Sequence, residues 1–468
     1  MSAQVESSAG TGAEGAPVPT VVAQLRRVFR TGRTQSLAWR RQQLEGIERF
    51  CDEREAEIVA AVAADLGRGP VEAWLGEIAG SRAEASHAKR HLRRWMLPTP
   101  RPLPATQLPG WAMTRPEPKG TVLIISPWNY PVFLTLGPLV AAVAAGNTVV
   151  VKPSEIAPAT SRMLAEWLPR YLDPEAVAVV EGDASVTQEL LAQGFDHALF
   201  TGGTEIGRKI MAGAAPHLTP VTLELGGKSP VIVDATADLE VTAKRLAWVK
   251  LLNSGQTCIA PDYVLAHSDV HDELVDRIGT HLAAFRSGEP AGQPIVNERQ
   301  FDRLVSAIAA TQGRVAHGGG SDPDTLRIEP TVVVGPALDE PLMSEEIFGP
   351  VLPVLRVGSL DEAIDFVNDR PKPLATYLFS RSRVARRRIV AEVPAGGTVV
   401  NHVAMHCLVP SLPFGGVGPS GMGAYHGHAG FAEFSHRKSV LVKSFRPDPS
   451  IIYPPYSDRA VKIIRRLF

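Results

Sequence analysis

Cysteine is scarce in this sequence of 468 residues, which contains only Cys51, Cys258 and Cys407. The three are widely spaced and form no C-x-x-C pair, so a disulfide-stapled fold and a cysteine-based zinc site are both excluded. Unpaired thiols are typical of a reducing compartment, and we therefore expect a cytoplasmic protein.

An excess of charge of one sign is also missing. Lysine and arginine number 48 against 49 acidic residues, without a long block of either sign, so no nucleic-acid partner is expected. The 13 histidines contain no H-E-x-x-H motif and the carboxylates form no spaced calcium loop, so no metal is expected either.

Long apolar runs are absent as well. The longest helical apolar stretch, residues 131–145, is shorter than the about 20 residues that span a bilayer, so no transmembrane segment is expected. Residues 1–20 lack the basic-then-apolar order of a signal peptide and predict a flexible N-terminal tail. The basic, amphipathic residues 458–468 suit either an anionic lipid surface or packing on the chain's own subunit, and we favour packing.

The first part of the chain has the pattern of helices. Apolar residues at three- and four-residue intervals predict helices over residues 21–97, followed by a proline-rich connector over 97–110. Cys51 lies inside this helical pattern, and we interpret it as a packing residue.

From residue 121 the pattern changes to short β-branched runs that alternate with helical segments. The runs TVLIIS at 121–126 and TVVVK at 148–152 have the continuous apolar character of strands buried on both faces of a parallel sheet. The alternation continues to residue 225, and a second block follows from 229 to 400. It predicts an α/β fold with a doubly wound sheet, which binds ligands at the carboxyl ends of its strands.

The segment LLNSGQTCIAPDYV, residues 251–264, places Cys258 after five small or polar residues. A free cysteine is usually a small buried hydrophobe, so this residue alone leaves a core thiol and a nucleophile both open. Cys407, which is near His402 and His406, is the rival reactive thiol, and we interpret it as structural.

Several other residues have two readings. Asn129 follows the first strand and is either a helix cap or a donor to a developing oxyanion. Glu224, at the end of a strand, is either a solvated carboxylate or a general base. The glycines before Thr204 form either a capping turn or a phosphate site. Lys228 is interpreted as an ordinary exposed lysine and not as a Schiff-base residue, and His197 and His217 as structural.

A succession of motifs then resembles a known family. In order along the chain they are PWNYP at 127–131, KPSE at 152–155, FTGGTEIG at 200–207, LELGGKSP at 223–230, GQTC at 255–258, EEIFGPV at 345–351 and PFGG at 413–416. Together they resemble the aldehyde dehydrogenase superfamily, from about residue 21 to the end of the chain. The strings at 253–264, 412–427 and 453–459 are more similar to its class 3 branch, the fatty and aromatic aldehyde dehydrogenases.

The resemblance implies an architecture. It predicts a modified Rossmann, doubly wound cofactor domain, a second α/β catalytic domain and a small oligomerisation arm. The boundaries that it implies are a tail over 1–20, an NAD(P)-binding domain over 21–102 and 118–223, a catalytic domain over 224–428, and a bridging arm with the C-terminal tail over 103–117 and 429–468. Because the arms associate in this branch, it also implies a homodimer.

The resemblance also implies a reaction. It implies NAD(P)-dependent oxidation of a medium- or long-chain aliphatic or an aromatic aldehyde to the carboxylic acid. Cys258 would be the nucleophile that forms a thiohemiacetal and then a thioester. Asn129, with the Cys258 main-chain N–H, would stabilise the oxyanion, and Glu224 would activate the hydrolytic water.

The cofactor and pocket residues are carried over in the same way. Lys152 and Glu155 match residues that hold the adenosine ribose, and a carboxylate there favours NAD over NADP without settling the choice. The modified Rossmann turn corresponds to Gly202, Gly203, Thr204 and Gly207; many relatives have serine or asparagine where Gly203 stands, so only main-chain contacts to phosphate are left. Glu346 and Phe348 resemble the pair that positions the nicotinamide. The candidate pocket residues are Trp128, Tyr130, Trp248, Thr257 and Phe414.

Two alternatives remain open. One is a CoA-acylating aldehyde dehydrogenase of the same fold, which the presence of Glu224 disfavours because a water-activating base would waste the acyl group. The other is a catalytically silent binding or structural relative, which would be expected to lack Asn129, Glu224 or Cys258.

Overall fold

The structure is a computed structural model that describes residues 17–286 and 292–467. Residues 1–16 of the predicted tail lie outside the described residues, and the first helix already begins at Val18. The α-helices are α1 Val18–Arg30, α2 Leu37–Glu53, α3 Glu55–Leu66, α4 Pro70–Ala73, α5 Gly80–Trp95, α6 Phe133–Ala145, α7 Pro158–Tyr171, α8 Ala184–Leu191, α9 Thr204–Ala214, α10 Leu239–Leu251, α11 His271–Phe285, α12 Glu298–Ala310, α13 Pro341–Ser344, α14 Leu360–Asn368, α15 Arg383–Glu392, α16 Gly427–Glu433 and α17 Asp458–Leu467.

In the described part of the chain, four sheets accompany these helices. The strands are β1 Thr99–Arg101, β2 Gly110–Pro118, β3 Thr121–Ile125, β4 Thr148–Lys152, β5 Val177–Val179, β6 His197–Gly202, β7 Val221–Leu225, β8 Pro230–Val233, β9 Tyr263–His267, β10 Arg314–His317, β11 Ser321–Asp322, β12 Arg327–Ile328, β13 Thr331–Val334, β14 Val351–Val357, β15 Ala375–Phe379, β16 Gly397–Val400, β17 Gly421–Met422 and β18 Ser435–Lys443. The alternation of helix and strand predicted from residue 121 onward is therefore confirmed.

The first sheet is doubly wound. Its order is β17-β7-β6-β3-β4-β5, and all its pairings are parallel except that of β17 with β7. Val122 and Ile124 of β3 pack in the core with α2, α5, α6 and α7, whereas Leu123 and Ile125 pack in the core with α1 and α9. Because successive residues of a strand point to opposite faces, a continuous apolar run buries both faces of the sheet.

The second sheet repeats this arrangement. Its order is β10-β13-β14-β9-β8-β15-β16, with β10 antiparallel to its neighbour and the other pairings parallel. Val231 and Val233 of β8 pack with α10 and α11, and Ile232 packs with α14 and α15 on the other face. The loop that carries Cys258 leads into β9 of this sheet, and Asn129, just beyond β3 of the first sheet, bonds to it.

The third sheet joins two distant parts of the chain. It has the order β1-β2-β18, and the nine-residue strand β18 pairs antiparallel with β2 along its length. The proline-rich connector contributes only the three-residue edge strand β1, in keeping with its shortage of N–H donors. The domain boundaries given above stay predictions.

The C-terminal residues form the expected amphipathic helix, α17. Ala460 is buried and Ile463 is exposed. Within residues 17–286 and 292–467, no helix is both long enough and apolar enough to cross a bilayer.

Candidate active site

Cys258 lies on a tightly folded loop between α10 and β9. The three residues Asn253, Ser254 and Gly255 have left-handed backbone angles, with φ of 51°, 50° and 73°. A Cβ at Gly255 would lie 2.2 Å from the main-chain oxygen of Gly349, so only glycine fits there. The two non-glycine residues cost about 1–3 kcal/mol each in this conformation and persist where their surroundings hold them.

Side-chain hydrogen bonds hold this loop. Nδ2 of Asn253 donates to the main-chain oxygens of Asn129 and Gln256, both at 3.0 Å. Nε2 of Gln256 donates to the oxygens of Asn253 at 3.0 Å and Pro294 at 3.2 Å, and its Oε1 accepts from the N–H of Val296 at 3.0 Å. The polar residues before Cys258 therefore hold the conformation of its loop through side-chain hydrogen bonds to the main chain.

The surroundings of Cys258 favour the protonated thiol. Burial raises the pKa of Cys258, and the nearby Glu346, Cys407 and Glu224 raise it further. The side chain is nevertheless partly exposed in a cavity, so a small molecule can reach it. A positive charge brought into the site would be needed to stabilise the thiolate.

Asn129 is brought to the same loop from the first sheet. It lies beyond the end of β3, and its side chain is buried. Its Nδ2 donates to the main-chain oxygen of Gln256 at 3.1 Å. The side-chain amide of Asn129 therefore lies beside the main chain that precedes Cys258.

Glu224 is the fourth residue of the five-residue strand β7 and is buried. Within the described part of the chain, neither of its carboxylate oxygens has a hydrogen-bond partner. Burial, followed by the charge of Glu433, raises the pKa of Glu224 well above its usual value of 4.5. An unsatisfied buried carboxylate of this kind is suited to binding a proton or a water molecule.

The cavity that contains Cys258 has a volume of about 170 Å³. Of the five residues predicted for the pocket, Tyr130, Trp248, Thr257 and Phe414 line it. Trp128 is not among the lining residues; its ring instead packs edge-on against Phe348, with ring centroids 5.4 Å apart. The remaining wall includes side chains that the sequence did not single out, namely Leu75, Phe133, Met405, Leu408, Tyr425 and His426.

The predicted phosphate turn has the geometry of an anion site. Gly203 precedes α9 without a side-chain cap, so the first N–H groups of the helix have no capping partner from that residue. A Cβ at Gly203 would meet nothing within 4 Å, which leaves open space beside this backbone. Gly207, by contrast, is required for packing, because a Cβ there would lie 2.7 Å from the Leu225 side chain.

The other predicted cofactor residues form local contacts of their own. Nζ of Lys152, at the end of β4, is 2.6 Å from Oε2 of Glu155. Glu346 is half-buried; burial and the charge of Asp262 raise its pKa to about 8. A Cβ at Gly226 would lie 2.0 Å from a Glu346 oxygen, so the absence of a side chain there admits the carboxylate.

The prediction that Lys228 is an ordinary exposed lysine is wrong. Its side chain is only 16% exposed and forms an ion pair with Asp262. It also donates to the main-chain oxygens of Leu342 at 2.9 Å and Glu345 at 2.8 Å. Because the other Asp262 oxygen accepts from the N–H of Ile347 at 2.9 Å, this pair anchors the segment that carries Glu346.

The structure places the rival thiol, Cys407, in the wall of the same cavity as Cys258. His197 is buried and shares hydrogen bonds with Lys119 at 3.0 Å and Thr222 at 2.9 Å. Across residues 17–286 and 292–467, no three His, Cys, Asp or Glu side chains converge as a metal-binding cluster.

Comparisons with known proteins show which proteins the chain is similar to. A family model described as "Aldehyde dehydrogenase family" matches residues 7–440. The chain is 44% identical over 459 residues to aldehyde dehydrogenase family 3 member H1 of Arabidopsis thaliana, covering 97% of this chain and 95% of that protein. It is 44% identical to the dimeric NADP-preferring aldehyde dehydrogenase of Rattus norvegicus, covering 94% of this chain and 98% of that protein. The solved substrate-bound state of Staphylococcus aureus AldH matches with a TM-score of 0.93 at 39% identity, covering 97% of this chain and 100% of that one.

Proposed function

The chain belongs to the aldehyde dehydrogenase family, and we propose that Cys258, Asn129 and Glu224 perform its chemistry. The protein is an NAD(P)-dependent oxidoreductase that oxidises an aldehyde to the carboxylic acid. The observation that carries the residue assignment is the hydrogen bond from Asn129 to Gln256, which ties an amide donor to the loop that presents Cys258 to the cavity.

The residues present fit a dinucleotide. The first N–H groups of α9, which have no side-chain cap from Gly203 and lie next to the open space beside it, would bind the pyrophosphate. Lys152 and Glu155 would bind the adenosine ribose, and Glu346 with Phe348 would orient the nicotinamide half. When bound, the cofactor supplies the hydride acceptor.

Cys258 supplies the nucleophile. Since burial and nearby acidic groups raise the pKa of its thiol, we propose that it ionises only in the complex with the oxidised cofactor, whose nicotinamide ring carries a positive charge. The thiolate sulfur then adds to the carbonyl carbon of the aldehyde. The oxyanion that forms accepts hydrogen bonds from Nδ2 of Asn129 and from the main-chain N–H of Cys258.

Glu224 completes the turnover. Loss of hydride from the substrate carbon leaves a thioester on Cys258. The Glu224 carboxylate removes a proton from water, the hydroxide adds to the acyl carbon, and the carbon–sulfur bond breaks to release the acid. The lack of hydrogen-bond partners for both Glu224 oxygens in the described structure supports this assignment, because the carboxylate is free to bind that water.

Transfer of the acyl group to CoA is the rival fate of the thioester. Incubation with aldehyde and NAD(P), with and without CoA, separates the two by product. We expect free carboxylic acid at the same rate under both conditions. Turnover that depends on CoA and yields acyl-CoA would overturn hydrolysis by Glu224.

The walls of the cavity suggest the class of aldehyde. Its lining is largely apolar, and Tyr130, Phe133, Trp248 and Phe414 contribute aromatic rings to it. Such a surface favours an aromatic or a medium- to long-chain aliphatic substrate over a small polar one. The test is kcat/KM for a panel of aromatic and aliphatic aldehydes of increasing length, measured with NAD and NADP in parallel; the highest value for the smallest aldehydes would contradict this.

We further propose a homodimer formed through the arm of β1, β2 and β18. β18 is an edge strand, and Leu441 on it and Phe445 just beyond it are 51% and 97% exposed. An exposed apolar edge can pair with a second copy. A monomer by light scattering at micromolar concentration would contradict the dimer.

The three unpaired cysteines also lead us to propose a cytoplasmic location.

A further inference from the structure

A buried ion pair lies beside the proposed active site, and one of its members, Arg68, is among the residues that line the cavity of Cys258. Nη1 of Arg68 is 2.6 Å from Oε1 of Glu77, and the two side chains are 1% and 0% exposed. Neither residue belongs to the motifs that carry the chemistry, and both come from the helical region that precedes the first sheet.

Arg68 contacts both halves of the site. Its Nε donates to Oδ1 of Asn253 at 3.1 Å, and its Nη2 donates to the main-chain oxygen of Asn129. Its guanidinium lies over the ring of Tyr130, 4.1 Å from the centroid. One planar group therefore touches the loop before Cys258 and the segment that carries the oxyanion donor.

Glu77 fixes the other end of that segment. Its Oε2 accepts from the main-chain N–H groups of Val132 at 2.9 Å and Phe133 at 2.8 Å, where α6 begins. Glu77 lies on a π-helical turn, Trp74–Ala79, a form that is rare and frequent at functional sites. Gly76 in the same turn leaves room for Arg68, because a Cβ there would be 3.3 Å from Nη1 and 3.1 Å from the Tyr130 ring.

We propose that Arg68 and Glu77 are positioning residues that hold Asn129 and the Cys258 loop in one fixed relation. The planar fork of arginine makes directed contacts that the point charge of lysine does not reproduce. Catalysis is sensitive to displacements of about 1 Å between a nucleophile and its partners. The inference rests on the proposed roles of Cys258 and Asn129.

A purely structural ion pair is the competing explanation. Replacing both members of a buried pair by neutral groups is often close to neutral for stability, so stability and positioning can be separated. The double variant Arg68→Met/Glu77→Gln removes both charges and leaves an amide oxygen for the N–H groups of Val132 and Phe133. The single variant Arg68→Lys keeps the charge that Glu77 requires and removes the fork.

The measurement is the rate of the first turnover, followed by stopped-flow NAD(P)H absorbance, together with the melting temperature. We expect the first turnover to slow at least tenfold in both variants, with the KM for NAD(P) within twofold of the parent. We also expect the rate of Cys258 alkylation by iodoacetamide, measured by mass spectrometry with NAD(P) bound and no aldehyde present, to change by at least threefold. The double variant should melt close to the parent.

Arg40→Lys is the matched control. Arg40 is also a buried arginine, donates to the main-chain oxygen of Ala144 at 3.1 Å and does not line the cavity. It should lower the melting temperature and leave the first turnover within twofold. The proposal is overturned if Arg68→Lys turns over at the parent rate, or if Arg40→Lys slows the reaction equally. If the double variant does not fold, Arg68→Lys alone decides whether the pair positions the site. Formation of NAD(P)H by Cys258→Ala would overturn the proposed function and not this inference.

Discussion

Asn129 and Gln256 are 127 positions apart in the chain, and Nδ2 of Asn129 donates to the main-chain oxygen of Gln256 at 3.1 Å. One residue follows a strand of the first sheet, and the other precedes Cys258 in the loop before β9. Together with the bond from Nδ2 of Asn253 to the main-chain oxygen of Asn129, this bond connects the first sheet to the loop of Cys258, where the reaction is proposed to occur. The amide has a second N–H available for a substrate oxygen.

Removal of this amide should slow the first covalent step. We expect Asn129→Ala to reduce the first-turnover rate about 100- to 1000-fold, because one lost oxyanion donor has an effect of that size. The check is stopped-flow formation of NAD(P)H in the first enzyme equivalent. Asn147→Ala is the control, since Asn147 is likewise buried but bonds to the main chain of Ala142 and Phe434. A loss below about threefold for Asn129→Ala would exclude it as the oxyanion donor.

The two thiols in the cavity should behave differently. We expect Cys258→Ala to form no NAD(P)H, because the nucleophile is gone, whereas Cys407→Ala should still form an acyl adduct on Cys258. Intact-mass and peptide mass spectrometry after quenching with aldehyde and NAD(P) locates the adduct. Its appearance on Cys407 in the parent enzyme would reverse the assignment of the nucleophile.

The helices and strands were largely predictable because their signals are local. The apolar run TVLIIS predicts β3, and the structure has it at Thr121–Ile125. The helical apolar stretch that follows was expected over residues 131–145, but α6 begins at Phe133, where Glu77 accepts the N–H groups of Val132 and Phe133. A cap from a distant part of the sequence has no local signature.

The contacts that hold the site residues in position could not be predicted either, because they also join distant residues and have no local signature. Arg68 meets Asn253 across 185 positions, and nothing in the residues around either one indicates the other. Lys228 resembled an exposed lysine because only the folded chain brings Asp262 beside it. The motif residues could be carried over from the resemblance, whereas the residues that orient them emerge from tertiary contacts.

The thioester should accumulate when the base is removed. In Glu224→Gln we expect one equivalent of NAD(P)H per active site followed by at least a 100-fold slower steady state, since hydrolysis loses its general base. The burst amplitude and the steady-state slope are read from one stopped-flow trace. Glu433→Gln is the control: it removes the like charge near Glu224 but leaves the base in place, so it should keep a steady state. Normal turnover by Glu224→Gln would rule it out as the base.

Glu224 should also weaken the fold as the pH rises. Below its usual pKa of 4.5 the carboxyl is protonated in the folded and unfolded states alike, but above it the unfolded chain releases the proton first, because burial raises the folded pKa. The free energy of unfolding therefore falls with rising pH until the folded pKa is passed. Glu224→Gln escapes this loss, so its melting temperature, measured between pH 5.5 and pH 9, should exceed that of the parent by a margin that grows with pH until the folded pKa is passed. A margin that is constant across this range would mean that the folded and unfolded pKa values do not differ.

Glu155 should control the choice between NAD and NADP. Its carboxylate lies 2.6 Å from Nζ of Lys152 and is partly exposed, at 44%. A carboxylate accepts hydrogen bonds from a ribose 2′-hydroxyl but repels a 2′-phosphate, whereas Lys152 freed of its partner would attract that phosphate. We therefore expect Glu155→Gln to raise the ratio of kcat/KM for NADP to that for NAD by about tenfold, the change that corresponds to about 1.4 kcal/mol.

The matched control for this prediction is Glu166→Gln. Glu166 is an exposed carboxylate on α7 that pairs with Arg170 at 3.2 Å. The Glu166→Gln variant therefore also removes one negative charge from an ion pair. Its ratio of NADP to NAD should stay within twofold of the parent. If both variants shift the ratio equally, the effect comes from net charge and long-range attraction of a more anionic cofactor, and not from the ribose site. Such an effect would also weaken as salt is added, whereas a direct contact between Lys152 and the 2′-phosphate would be less sensitive to ionic strength.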